Sequence, residues 1–491
     1  MLALGHGGGT GLTQEKLVTL TEIDSWNNEN KLPIFITATC EFARFDESES
    51  FSAGERLLLK EKGGAVGLLT TTRLVFANEN FDINKSFMTQ FTQSVNQQDL
   101  LLGDILKLAK RQTFTGDGNR KFLLLGDPAL RLAFPKNNVV LTEINEQTTD
   151  TLKALKKIVL KGEVRDNTNQ IISNFNGVAS IIVYDKKTTE NTLANDPTSQ
   201  QKSFEIQKNK IYKGKATVNN GALQVAFIVP KDINYQYGKA KISVYANSTN
   251  SDALGADTNN VIGGIDTTII IDNKGPIVEA FMNDEHFVFG GITNEAPILL
   301  LKLFDDNGIN TSGNGVGHDI TAILDNNTKD IKILNDFYES EIDNLQKGTV
   351  IFPLEKISHG RHSLHAKAWD IMNNSGEAYT EFVVEKSAKL AISHVLNYPN
   401  PFTTKTKFMF EHNKPNQNLD LKIEIFAVSG KLIKSIQQNI NTSGFRVADI
   451  EWDGRDDFGD KIGKGVYIYK ITLKDENGGK ISQYQKLVIL N

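Results

Sequence analysis

Two hydrophobic patterns follow one another along the chain. Over the first 135 residues, short apolar runs rich in β-formers alternate with stretches of helical composition. Leu32–Ala38, Ala65–Thr70 and Phe122–Leu125 are such runs. Unbroken apolarity over so few residues is what a parallel strand buried on both faces requires. Between them, Ala53–Lys62 carries Leu57, Leu58 and Leu59 in a charged surround and stops at Gly63-Gly64, as a helix should at its C-terminus. Phe87–Lys110 predicts further helix. Strand, helix and strand in alternation predict a parallel sheet covered on both faces.

After Pro135 the pattern changes. Runs such as Ile181–Tyr184 are separated by Asn, Gly and Lys turns, and long helices vanish. This spacing predicts β-sandwiches of roughly 100 residues each. Breaks at Asn273–Pro276 and Glu385–Ala388 divide the region into residues 136–275, 276–388 and 389–491. The last opens on Asn397-Tyr398-Pro399-Asn400-Pro401-Phe402, where two prolines fix an extended approach. Ile423–Phe426 then meets Ser429-Gly430 in a hairpin, and Trp452–Asp456 and Gly465–Lys470 complete a compact sandwich. No short internal repeat of the solenoid type is present.

Composition narrows the class. The chain of 491 residues is 39% hydrophobic and 23% charged, as folded domains are. A net charge of −5 argues against nucleic acid as a partner. No run of about 18 apolar residues encodes a membrane-crossing helix. Met1-Leu2-Ala3-Leu4 leads straight into Gly5-His6-Gly7-Gly8-Gly9, with no basic segment or signal peptide before it. An upstream part of a longer protein is therefore expected before Met1.

The chain has one cysteine, Cys40, so it holds no internal disulfide and no cysteine-rich metal centre. His6 is the sole histidine among the first 285 residues. Each follows an apparent strand, Leu2–Leu4 or Ile34–Ala38. Neighbouring parallel strands would bring both to one carboxyl edge, where such sheets carry their functional residues. A free thiol is only a few per cent ionised at neutral pH, and an adjacent imidazole can take its proton. Gly7 leaves an unobstructed N–H for a developing oxyanion. Against this stand a surface histidine on a glycine-rich loop and a buried, inert cysteine. Glu41 and Arg44, close behind Cys40, suit a site edge better than a core.

Other candidates have plainer readings beside them. Glu55 could contact substrate, but an acid in the first turn of a helix complements its dipole. Asp127, before Pro128, is a turn acid. Asp305-Asp306-Asn307-Gly308, with Asn310 and Asn314, could offer oxygens to calcium or simply form an Asx-rich turn. Asp453, Asp456, Asp457 and Asp460 invite the same pair of readings. His359, His362 and His365 cannot all share one face of a strand, whose period is two. No cofactor and no catalytic metal are expected; structural calcium is the one option left open.

Gly5-His6-Gly7-Gly8, followed by Leu32-Pro33-Ile34-Phe35-Ile36-Thr37-Ala38-Thr39-Cys40-Glu41-Phe42-Ala43-Arg44-Phe45-Asp46, resembles the gingipain family of caspase-like cysteine peptidases. Ser52–Glu55, Lys62–Ala65, Thr70–Arg73 and Gly126–Leu132 continue the likeness. The stretch around Cys40 is most similar to the family's sortases in the type IX secretion system of Bacteroidota. The resemblance implies a multidomain α/β plus all-β protein. A caspase-like catalytic domain would occupy residues 1–135, with Ig-like sandwiches after it and a sorting-type sandwich over 389–491.

It further implies His6 as base, Cys40 as nucleophile, and the backbone N–H groups of Gly7 and Cys40 as oxyanion hole. Thr71, Thr72 and Arg73 would form part of a substrate pocket. The family's histidine-orienting acid lies upstream of its Gly-His-Gly motif, so weak or absent activity is expected of this chain alone. Implied partners are the C-terminal signals of secreted cargo, other secretion components at the outer membrane and an anionic lipopolysaccharide acceptor. The implied location is the cell surface. Two alternatives remain: a secreted gingipain-like protease that is itself cargo, and a non-catalytic adhesion or scaffold protein on a peptidase fold.

Overall fold

The computed structural model describes the chain except for residues 1, 14–16, 48–49, 94–99, 114–115, 148–149, 196–198, 268–271, 314–316, 386–389, 443 and 491. Asn314 and the predicted break at Lys386–Ala388 thus lie outside the described residues. The chain forms two compact units, residues 1–134 and 135–491.

The first unit runs β1 (Leu2–Leu4), β2 (Gly7–Gly8), β3 (Gly11–Leu12), β4 (Val18–Thr19), α1 (Leu20–Ser25), β5 (Ile34–Ala38), α2 (Ala53–Leu59), β6 (Gly67–Thr71), α3 (Ala77–Gln93), α4 (Leu102–Arg111) and β7 (Phe122–Gly126). Its central sheet has the order β1-β5-β6-β7. Successive side chains on β5 and β6 serve opposite faces, as strand periodicity demands. Phe35 and Leu68 pack with Ile23 and Leu57 beneath α1 and α2. Ile36 and Leu69 pack with Phe87, Ile105 and Ala109 beneath α3 and α4. Each such fully buried side chain contributes roughly 2 kcal/mol from removal of apolar surface. Both faces are therefore dry, which is why these strands read as continuous apolar runs.

Capping fixes where the first helices begin. Thr19 and Glu22 form a capping box on α1, and Ser52 and Glu55 form one on α2. Gly64 stands in the left-handed region at φ +84°, where a Cβ would meet the Leu57 carbonyl at 2.0 Å. Only glycine fits there.

One expectation is corrected. β1, β5 and β6 are parallel, but β7 runs antiparallel to β6. The stretch read as helix over Phe87–Lys110 belongs to two helices, which pack on each other across the same face. A one-turn helix, Asp117–Arg120, follows them and leads directly into β7, which enters the sheet in the opposite sense to β6.

In the second unit, Asn137–Ile144 pairs with both Lys157–Arg165 and Asp252–Asp257. The ladder of residues 137–257 consequently closes into a seven-stranded barrel around Ile158, Leu160, Ile181, Val183 and Phe227. Where a two-sheet sandwich is expected over 136–275, the structure has this closed barrel. Residues 277–384 form a sandwich of a four-stranded and a five-stranded sheet. Residues 392–489 form another, three strands against four, around Phe408, Phe410, Trp452 and Tyr469. Period-two burial marks these strands: Leu419–Ala427 buries Leu419, Leu421, Ile423 and Ile425 and turns the residues between outward.

Candidate active site

β1 and β5 pair in parallel with Leu4 opposite Ala38. The ladder ends there, and the loops carrying His6 and Cys40 leave the two strands at the same carboxyl edge. The Gly5 N–H donates to the Ala38 carbonyl at 3.2 Å, which closes that last pair. β6 ends at the same edge, so Thr72 and Arg73 follow there.

The His6 loop is a tight hairpin. The Thr13 N–H donates to the His6 carbonyl at 2.7 Å, and Gly7 stands opposite Leu12. Antiparallel pairs alternate between bonded and non-bonded positions. The Gly7 N–H therefore points away from the hairpin. A Cβ on Gly7 would lie 2.4 Å from the Thr39 hydroxyl oxygen. Glycine is what lets this loop rest against the end of β5. The His6 ring is exposed and, among the described residues, has no hydrogen-bond partner. A cavity of about 610 Å³ opens beside it, lined by Gly8, Thr10, Val18 and Thr21 among others; Cys40 is not in its lining.

Cys40 is half-buried, and its thiol donates to the Val75 carbonyl at 3.5 Å rather than to His6. Directly after it, Glu41 holds φ +51°. This left-handed conformation costs a non-glycine residue about 1–2 kcal/mol. Strain of this kind, stored one residue from a thiol at a sheet edge, is characteristic of functional turns. The N-terminus of α2 ties the two loops together. The Ala53 N–H donates to the Gly9 carbonyl at 2.7 Å and the Gly54 N–H to the Phe42 carbonyl at 2.9 Å. These are donors a helix leaves unsatisfied in its first turn. Glu55 is occupied by its cap, accepting from the Ser52 N–H at 2.8 Å and the Ser52 hydroxyl at 2.6 Å.

The three residues expected around the pocket separate. Thr71 is fully buried, and its hydroxyl donates to the Thr39 carbonyl at 2.6 Å. It lies beneath the site rather than in a pocket wall, which corrects that expectation. Thr72 and Arg73 are half-buried. Thr72 donates to the Lys121 carbonyl at 3.4 Å. Arg73 grips Asp46 through both terminal nitrogens and holds that carboxyl below the usual carboxylate range. Around them Phe45, Leu74 and Phe76 stand 52%, 66% and 73% exposed, an apolar rim on the segments that carry and contact the thiol.

Elsewhere the plainer readings describe what is seen. Asp127 accepts from the Ala129 N–H, and Asp456 from the Phe458 and Asp460 N–H groups, as turn acids do. His359, His362 and His365 each face a different carboxylate, Glu385, Asp325 and Glu377. Asp305 accepts from the Asn307 and Gly308 N–H groups at 2.8 and 3.0 Å. Its carboxylate also lies within 4.8 Å of those of Asp272 and Asp370. Burial, and the neighbouring Asp370 and Asp272 charges, push the Asp305 carboxyl up to about 6. Sequence spacing gave no sign of this convergence, since Asp305 follows a strand of the four-stranded sheet and Asp370 a strand of the five-stranded one.

Residues 4–133 match the model of peptidase family C25. Among solved structures, the chain is similar to dimeric latent PorU from Porphyromonas gingivalis, at 29% identity and a TM-score of 0.34. That match covers 88% of this chain and 41% of the PorU chain, so this chain spans about two-fifths of PorU. Weaker likenesses include a Bacteroides ovatus protein from a mixed-linkage glucan utilization locus, SGBP-B (10% identity, 69% of this chain, 65% of that one, TM-score 0.22). Another is a tetra-tandem repeat of a large adhesion protein (12% identity, 72% and 74% covered, TM-score 0.17). Likenesses at this level carry no argument about function. No curated protein matches the chain. Over residues 4–133 the chain is therefore similar to the peptidases of family C25, the gingipain family.

Proposed function

We propose that this chain is the peptidase and C-terminal portion of a type IX secretion sortase that cleaves the C-terminal signal from secreted cargo. The observation that supports the chemistry is the parallel pairing of β1 with β5, after which the His6 and Cys40 loops leave at one sheet edge. In the reaction, the Cys40 side chain rotates from the Val75 carbonyl toward His6. The His6 imidazole takes the thiol proton as sulfur bonds to the carbonyl carbon before the signal. The N–H groups of Gly7 and Cys40 receive the oxyanion. The intermediate collapses to a thioester as His6 returns the proton to the departing amine. Water, or an amine on anionic lipopolysaccharide, then attacks the thioester, His6 takes its proton, and Cys40 leaves as thiol.

The apolar rim of Phe45, Leu74 and Phe76 suits an extended peptide at the thiol. The sandwich over 392–489 suits a role in docking to the secretion machinery at the cell surface, and the net charge of −5 leaves nucleic acid out of the reading. Among the described residues no helix is long and apolar enough to cross a membrane. The test incubates the full-length protein with a cargo C-terminal domain and an added amine. Cleavage before the signal that disappears in Cys40→Ala supports the reading. Cleavage that persists in that variant contradicts it.

A further inference from the structure

We infer that Thr71 is a positioning residue that aims the Cys40 N–H into the gap between β1 and β5, where the reacting carbonyl would sit. The inference rests on the proposed role of Cys40 as nucleophile. Its geometry comes from the hydrogen bonds around the end of β5. The Ala38 carbonyl accepts from the Gly5 N–H, so it points toward β1. The next carbonyl along an extended strand points the opposite way. Thr39 obeys this: its carbonyl meets the Thr71 hydroxyl on the β6 side, at 2.6 Å. The peptide unit joining Thr39 to Cys40 is planar and trans, so its C=O and N–H are antiparallel. Fixing the carbonyl toward β6 therefore fixes the Cys40 N–H toward β1.

On that side lie Gly7 and its outward N–H, held against Thr39 by the absence of a side chain. The two backbone donors thus share one gap. The Cys40 N–H has no hydrogen-bond acceptor of its own among the described residues.

Thr71 secures the far side of the turn as well. Its carbonyl accepts from the Ala43 N–H at 3.1 Å. The strained turn at Glu41 is therefore held before and after the nucleophile by one residue. Thr71 is 0% exposed. Its hydroxyl cannot reach solvent or substrate, and acts only through the peptide it holds. Without the hydroxyl the Thr39 carbonyl loses its donor, and rotation of the peptide would swing the Cys40 N–H out of the gap.

Cys40 is the sole cysteine, so ¹⁵N-cysteine labelling of the full chain yields one amide resonance. A peptide aldehyde ending in an apolar residue serves as probe. Its carbon bonds to sulfur, the thiol proton moves to the aldehyde oxygen's site, and the adduct oxygen mimics the reaction's oxyanion. In the wild type and Thr71→Ser the adduct is expected to shift the Cys40 amide downfield. In Thr71→Val that shift is lost and the aldehyde binds roughly tenfold or more weaker, a misaimed donor costing less than the roughly 100-fold or more of a removed one. Alkylation of the thiol by iodoacetamide, which needs no oxyanion hole, stays within about twofold. Thr71→Ala reads the same quantities should the valine variant fail to fold. An unchanged amide shift and affinity in Thr71→Val would overturn the positioning role alone. Failure of the wild type to form any Cys40 adduct would overturn the nucleophile reading and this inference with it.

Discussion

Acidification should loosen the last sandwich through a single histidine. His412 is 1% exposed, and its ring is wired as the neutral form. Nδ1 accepts from the Lys414 N–H at 3.2 Å, so the proton sits on Nε2, which donates to the Thr442 hydroxyl at 2.9 Å. That hydroxyl can accept because its own proton goes to the Gly444 carbonyl at 2.8 Å. Burial pushes the His412 imidazolium down to about 4, from an ordinary 6.5. The folded state therefore binds fewer protons than the unfolded one between these values. Its stability contribution is complete above pH 6.5 and is lost as pH falls toward 4. A gap of about 2.5 units at 1.36 kcal/mol each comes to about 3 kcal/mol. Hydrogen exchange of peptides from the strand Thr406–His412 measures this directly. The opening free energy should fall by about that amount from pH 7 to pH 4 in the wild type. In His412→Asn it should start lower at pH 7 and lose about 3 kcal/mol less on acidification, the shared contribution of other groups cancelling. Equal pH slopes for the two proteins would refute the reasoning.

Three further outcomes follow from buried groups and close contacts. Asp305 has its carboxyl raised to about 6, so its charge costs stability that is lost as pH rises from about 4 through 6. Asp305→Asn, which retains an acceptor for the Asn307 and Gly308 N–H groups, should raise the melting temperature at pH 7.5 but not at pH 4; a lower value at pH 7.5 would contradict this. Tyr469 buries its hydroxyl with no hydrogen-bond partner among the described residues, so Tyr469→Phe should gain about 1 kcal/mol in urea unfolding, and a loss would count against it. Gly7→Ala should destabilise the first unit by about 1–3 kcal/mol, because its Cβ would meet Thr39 Oγ1 at 2.4 Å. Adding Thr39→Ala should recover most of that loss in thermal unfolding; strict additivity of the two changes would rule out the contact as its cause.

The catalytic half of the fold was legible where burial is two-sided. Ile34–Ala38 and Gly67–Thr71 are apolar runs because Phe35 and Ile36, or Leu68 and Leu69, face opposite helical layers. The direction of β7 was not legible, because composition over Phe87–Lys110 does not reveal that the chain reverses inside it. His6 and Cys40 stood out as candidates by their placement after strands, a local signal. The role of Thr71 was hidden: a threonine after a strand looks the same whether its hydroxyl faces a pocket or the carbonyl of residue 39. The approach of Asp272 and Asp370 to Asp305 depends on sheet pairing and left no local trace.

The central claim is that His6 and Cys40 act together. Mass spectrometry of the full-length protein treated with a thiol-reactive peptide probe tests it most directly. Labelling at Cys40 should slow by about 100-fold or more in His6→Ala, the range for loss of a general base. Equal rates of Cys40 labelling in the wild type and His6→Ala would contradict it.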